Sequence, residues 1–107
     1  MKEIKAIIKP ARLGTVLSAL RLIKGLPGIT ISEVKGFGKT KKSSDEILEH
    51  DHKTKLEIIV PDELAEMTVK VIEENARTGG KGDGKIFISE VLDVVRIRTG
   101  ERGRSAI

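Results

Sequence analysis

Twice along this chain an apolar run ends in proline and gives way to an amphipathic helical pattern. Ile7-Ile8-Lys9-Pro10 precedes the first and Ile59-Val60-Pro61 the second. Proline suits a first helical turn, where its missing N–H costs nothing, so each run reads as a strand leading directly into a helix. A weak repeat of that kind limits the chain to two similar halves packed on one sheet.

The halves can be read residue by residue. Residues 2–9 alternate, with Ile4, Ala6 and Ile8 on one face, which is the pattern of a half-buried strand. Leu13, Val16, Leu17, Leu20 and Ile23 recur at helical spacing and predict a helix ending near Gly25. Pro27-Gly28 is a turn, and Ile29 to Phe37 is a second strand. Residues 54–60 make a third, with Leu56, Ile58 and Val60 sharing a face. After Pro61, Asp62, Glu63 and Glu66 complement the positive end of a second helix. Its apolar face is drawn from Leu64, Met67 and Val71 with Ala65, Val69, Ile72 and Ala76, and Gly79 stops it. Ile86 to Arg98 reads as a fourth strand, followed by a tail over 99–107. The order βαββαβ is that of a ferredoxin-like α+β fold, an antiparallel sheet with both helices on one face. The other face, holding Ile7, Lys9 and Ile59, would then need cover from an oligomer.

A length of 107 residues fits one domain spanning 1–107. The absence of cysteine excludes disulfides and thiolate metal sites. Met1 leads directly into a charged strand, with no apolar run long enough for a signal peptide or a membrane span, so a cytoplasmic location is expected. The net charge of +4 favours anionic partners. With no Trp or Tyr and only Phe37 and Phe87 as aromatics, the chain is poorly supplied for stacking nucleic-acid bases.

Two stretches carry chemistry. Thr78-Gly79-Gly80-Lys81-Gly82-Asp83-Gly84-Lys85 has four glycines in its first seven residues. Glycine leaves backbone N–H groups uncovered, and successive N–H groups with nearby ammoniums form a phosphate cradle. Gly79, Gly84 and Lys85 nearly satisfy a Walker A spacing. Ile86 stands where that motif needs Ser or Thr for magnesium, however, and the flanks run helix to strand, the reverse of that motif. Arg96 and Arg98, two apart on the expected last strand, form an anion clamp.

The segment 39–53 reads as a long polar recognition loop, basic at Lys39, Lys41 and Lys42 and acidic at Asp45, Glu46, Glu49 and Asp51. Within it Ser43-Ser44 could accept phosphate, and His50-Asp51-His52 has metal-ligand chemistry. A solvated loop accounts for both as well, so no metal is assigned. No nucleophile has an identifiable base and no carboxylates pair in an apolar setting, which argues against an enzyme.

Ile4 to Pro10 (IKAIIKP), Glu33 to Gly38 (EVKGFG), Leu56 to Pro61 (LEIIVP), Thr78 to Phe87 (TGGKGDGKIF) and Arg96 to Glu101 (RIRTGE) together resemble the nitrogen regulatory protein P-II family, over nearly the whole chain. The resemblance implies a ferredoxin-like homotrimer that binds ATP or ADP in clefts between subunits. It places Gly82, Asp83, Gly84 and Lys85 around the phosphates, with Arg96 and Arg98 close by. It places Ile7, Thr30, Gly36, Gly38, Glu57 and Ile59 on the opposite wall, around base and ribose. Lys39 and Thr40, at the base of the recognition loop, count with the nucleotide-binding residues. Thr40 replaces a family glutamine that helps hold a magnesium–2-oxoglutarate complex and is a weaker ligand. Lys53 stands where a family lysine meets the 2-oxoglutarate carboxylate, a possible effector contact. The loop is several residues short and lacks the uridylylated tyrosine, so that modification is excluded. The implied role is non-enzymatic regulation of a membrane transporter or nitrogen-metabolism enzyme through the 39–53 loop. An alternative is a sensor of another small molecule serving a metal or anion transporter. An RNA-binding module or a weak nucleotide hydrolase ranks below both.

Overall fold

The computed structural model describes residues 1–42 and 45–107, with the side chains of residues 1–36 and 51–107. Four strands form one antiparallel sheet: β1 (Lys2–Ile8), β2 (Thr30–Lys42), β3 (Asp45–Val60) and β4 (Gly84–Glu90), in the order β2-β3-β1-β4. Helices α1 (Leu13–Leu20) and α2 (Asp62–Ala76) complete the ferredoxin-like α+β fold.

The period-2 alternation fixes which face is core. Ile4, Ala6, Ile8, Leu56, Ile58 and Val60 are buried and cluster with Val16, Leu20, Ile23, Ala65, Ile72 and Ala76, so both helices lie on one face of the sheet. Each proline stands at a helix start as the sequence predicts, but only Pro10 lies in a first turn. Pro10 opens a 3-10 turn, Pro10–Arg12, that runs into α1, and Pro61 is the N-cap of α2 with Asp62 and Glu63 in its first turn. α1 is shorter than its periodicity implies, ending at Leu20 in successive tight turns in which Leu22 N–H bonds Ala19 O and Ile23 N–H bonds Leu20 O. In α2 the buried stripe runs Ala65, Thr68, Ile72, Ala76, and Met67 is 55% exposed rather than in the core. Thr68 enters that stripe because its hydroxyl donates to Leu64 O at 2.7 Å, which leaves its methyl to pack.

Two boundaries differ from the sequence expectation, each for a reason of register. The segment 39–53 is not a loop between short strands. β2 and β3 continue as a ladder from Thr30↔Glu57 through to Lys42↔Asp45. β1 pairs with β3 only as far as Ile8↔Thr54, so residues 45–53 belong to a two-stranded ribbon, and their sequence carries no apolar alternation to announce a strand. Ser43 and Ser44 lie outside the described residues.

The second difference is at the last strand, which stops at Glu90 and not at Arg98. Its ladder with β1 ends at Lys2↔Glu90, where β1 begins, and β-branched composition alone cannot extend a strand without a partner. Beyond it the chain folds on itself: Val95 bridges Arg102, Arg96 N–H donates to Glu101 O, and Gly103 N–H donates to Val94 O. Asp93 fixes this turn by accepting from Val94 N–H, Gly103 N–H and the Arg102 guanidinium.

Candidate functional site around the glycine loop

β1 lies between β3 and β4, and at its C-terminal end Ile8 is opposite Thr54 on one side and Gly84 on the other. One residue past that three-stranded rung stand Lys9, Lys53 and Asp83. Register alone therefore collects two ammoniums and a carboxylate at the glycine loop.

The loop is built on Asp83. Its carboxylate accepts from Thr78 N–H and Gly79 N–H at 2.9 Å each and from the Thr78 hydroxyl at 2.6 Å. Lys9 Nζ lies 3.1 Å from Asp83 Oδ1 and donates to Thr78 Oγ1 at 3.1 Å. The hydroxyl of Thr78 also accepts from Gly80 N–H. The hydrogen bonds from Thr78, hydroxyl first and backbone N–H next, hold the Asp83 carboxyl well below the usual carboxylate range, so it is ionised at neutral pH. Lys53 Nζ donates to Gly82 O and lies 3.0 Å from Asp51 Oδ2. Among the described residues, none accepts a hydrogen bond from the backbone N–H of Lys81 or Gly82, the two central residues of a turn that directs Asp83 N–H toward Gly80 O. Gly84, at φ 100°, joins the loop to β4 so closely that an added Cβ would lie 1.6 Å from Ile7 O.

The site residues expected from sequence fall into two groups within one chain. Ile7, Asp83, Gly84 and Lys85 line a cavity of about 380 Å³ with Glu73, Arg77 and apolar residues of the core edge, and Gly82 and Lys53 adjoin it. Thr30, Glu57 and Ile59 line a different cavity of about 370 Å³, together with Glu3, Pro27, Gly28, Val94, Ala106 and Ile107. Gly36 is opposite Asp51 on the ribbon. Gly38, Lys39 and Thr40 follow on β2, opposite Glu49, Leu48 and Ile47, and their side-chain roles lie outside the described residues.

Arg96 and Arg98 do not share a strand face. Both lie in the turn after β4, Arg96 half-buried with Nη2 3.4 Å from Ile107 O and Arg98 exposed. The side chain of His50 is likewise outside the described residues. His52 is exposed, and Asp51 is held by Lys53. Among the described residues, no three potential metal ligands converge.

Sequence reasoning missed Lys9 and Thr78 as members of the loop's network. The signal was present, since Thr78 precedes the first loop glycine and Asp83 follows five residues later, an arrangement in which short polar side chains cap their own turn. It also missed the second cavity's cover by Val94, Ala106 and Ile107, which depends on the path after β4 and has no local signature.

The bare sheet face carries Ile7 and Ile59, both half-buried, beside Lys5, Lys55 and Glu57, with Lys55 Nζ 3.5 Å from Glu57 Oε1. Phe87, half exposed, is on the edge strand β4, and the central strand β1 and the part of β3 paired with it hold no aromatic residue. Among the described residues, no helix is long and apolar enough to cross a membrane.

Comparison with known proteins adds to this geometry. Residues 1–101 match the family model described as Nitrogen regulatory protein P-II. The nitrogen regulatory protein P-II 1 of Methanothermobacter thermautotrophicus is 49% identical, with 100% of this chain and 97% of that protein covered. The nitrogen regulatory proteins P-II of Rhizobium meliloti and Azospirillum brasilense are 46% and 44% identical with both chains fully covered. These alignments run over 113 positions against 107 residues, so at least six positions face gaps in this chain. The matches carry the names of regulatory proteins and not of enzymes, and on a family match over nearly its whole length this chain belongs to the nitrogen regulatory protein P-II family.

Proposed function

We propose that this protein is a nucleotide-responsive regulator, working in the cytoplasm as a homotrimer, that binds ATP or ADP through its glycine loop. The observation that carries the reading is the loop itself. It leaves the N–H groups of Lys81 and Gly82 without an acceptor among the described residues, beside the ammonium of Lys53, with Lys85 at the start of β4. A run of unclaimed N–H groups beside fixed cations suits a polyphosphate tail.

The base and ribose require an apolar slot with a few polar anchors. Ile59, Thr30 and Glu57 supply those groups, but around a separate cavity. A nucleotide that uses both groups therefore bridges two subunits, loop from one and wall from the next. Arg96 and Arg98, carried on the turn after β4, add charge at that junction. The bare face with Ile7, Ile59 and Phe87 is the surface that subunit packing would cover.

The output element is the β2–β3 ribbon, which docks on a target enzyme or transporter. Its root is tied to the loop, since Lys53 on β3 holds Gly82. A ligand that recruits Lys53 from Gly82 O would alter the ribbon's root, and a carboxylate effector such as 2-oxoglutarate has that chemistry. Regulation then follows from differential contacts of ATP and ADP with the two states.

Titration calorimetry with ATP, ADP, and ATP with magnesium and 2-oxoglutarate, repeated on Arg98→Ala, tests this. Nucleotide binding weakened at least tenfold in the variant is the expected result. An added 2-oxoglutarate signal places the protein in nitrogen control, and its absence favours service to another transporter. No heat with any nucleotide overturns the reading.

A further inference from the structure

We propose that Lys9, Thr78 and Asp83 are positioning residues for the phosphate site, forming an internal clamp that shapes the glycine loop without touching the nucleotide or a metal. The inference rests on the nucleotide reading above. It reassigns Asp83 from ligand to support and gives a role at the site to Lys9 and Thr78, to which the sequence pattern assigned none.

The carboxylate of Asp83 is directed into the loop. Oδ2 accepts from the N–H groups of Thr78 and Gly79, while Oδ1 faces the Thr78 hydroxyl and the Lys9 ammonium. Both oxygens are thus occupied by donors from the loop and from the end of β1, and the side chain is 23% exposed. A carboxylate turned outward would repel phosphate. Turned inward, it takes up the N–H groups at the start of the loop and leaves those of Lys81 and Gly82 for an incoming anion. Gly79 and Gly82, at φ 87° and 84°, make the reversal sterically cheap.

Lys9 completes the clamp from outside the loop. Its Nζ spans Asp83 Oδ1 and Thr78 Oγ1 at 3.1 Å each, which ties the loop to the last residue before Pro10. An ammonium saturated by an internal carboxylate and hydroxyl contributes little direct charge to a ligand. Lys53 differs in where it comes from: it reaches Gly82 O from the ribbon, and its carboxylate partner Asp51 lies outside the loop.

The test uses Asp83→Asn, Lys9→Gln, the double variant, Thr78→Ala and Thr78→Ser in the full-length protein. Calorimetry with ATP, with and without magnesium, is read beside amide hydrogen exchange of the ligand-free protein. Charge-assisted hydrogen bonds of this kind carry enough free energy for about 10- to 100-fold in affinity. Asp83→Asn and Thr78→Ala are expected to weaken ATP binding within that range equally with and without magnesium, and Thr78→Ser to restore it. The double variant is expected to bind no worse than Asp83→Asn, because the two residues act through one contact. Exchange at Thr78 and Gly79 should accelerate in Asp83→Asn.

Unchanged or tighter ATP binding by Asp83→Asn overturns the proposal. A loss confined to magnesium conditions makes Asp83 a metal ligand, and additive losses in the double variant make Lys9 a phosphate ligand, and either also overturns it. If the wild-type protein binds no nucleotide, the functional reading fails by itself. The clamp is then decided by exchange alone, and unaltered protection at Thr78 and Gly79 in Asp83→Asn would refute it.

Discussion

Replacing Gly84 by alanine should be among the most damaging single-methyl changes available in this protein. The added Cβ would lie 1.6 Å from Ile7 O and 2.7 Å from Ile7 C, both backbone atoms that no rotamer change can move. The residue also sits at φ 100°, a region that costs an L-residue about 1–3 kcal/mol. Relieving the clash requires β1 and β4 to part at the Ile8↔Gly84 rung and disturbs Ile7↔Lys85 next to it. One or two weakened ladder bonds add about 0.5–1.5 kcal/mol each. The sum is about 1.5–6 kcal/mol, a large share of the roughly 5–15 kcal/mol that a domain possesses.

Two control substitutions separate the contributions. Gly79→Ala meets nothing within 4 Å but keeps an unfavourable φ of 87°, so it isolates backbone strain at about 1–2 kcal/mol. Gly14→Ala, within α1 and equally uncrowded, should stabilise by about 0.5–1 kcal/mol through reduced chain entropy and better helix propensity. Urea unfolding at one fixed protomer concentration gives the comparison without confounding by assembly. The expected order of stability is Gly14→Ala, wild type, Gly79→Ala, Gly84→Ala. A Gly84→Ala protein as stable as Gly79→Ala would refute the close approach of Ile7 to the loop's exit.

Ile58→Ala removes a fully buried side chain from the middle of β3 and should cost about 2–5 kcal/mol, measured in the same urea titrations. Acid should destabilise the fold through Asp62, Glu63, Asp83 and Asp93, whose folded pKa values are all lowered from ordinary values of 3.8 or 4.5. A lowered folded pKa means stability that is present above those ordinary values and lost as pH falls below them toward the folded ones. Thermal melting should therefore be flat from pH 7 to about pH 5 and fall steeply below pH 4, and a melting temperature independent of pH down to pH 3 would contradict the assigned contacts.

How far the sequence disclosed this structure depends on whether a feature was local. Ile4, Ala6 and Ile8, or Leu56, Ile58 and Val60, alternate because each has a core on one side, so those strands and their buried faces were legible in advance. The two prolines marked both helix starts for the same kind of reason. The ribbon was not legible, because residues 45–53 pair with β2 alone and carry no alternation to detect. Nor was the end of β4 at Glu90, which is set by where its partner β1 begins and not by any residue of its own. The site followed the same rule. Gly82, Asp83, Gly84 and Lys85 stood out as a contiguous motif, whereas Lys9 reaches Thr78 in the same loop across 69 positions of sequence and only the β1–β4 register brings it there.

That register also bears on how binding at the loop would reach a target. The Ile8–Thr54 and Ile8–Gly84 rungs end the three-stranded part of the sheet, and the ribbon departs from the same level. Lys53 is the last ribbon residue of β3 before Thr54 and already touches the loop through Gly82 O, while its ion-pair partner Asp51 lies opposite Gly36 on β2. On the proposed reading, a phosphate drawn to the loop competes with Gly82 O and Asp51 for one ammonium. Whichever wins sets the charge balance at the root of the ribbon, where its two strands have lost the support of β1. A lever is most easily redirected at its root, and here the root is one residue from the cradle. Lys53→Met should therefore uncouple target control from nucleotide state while leaving the ladder from Thr54 onward intact, a separation that a purely structural lysine would not show.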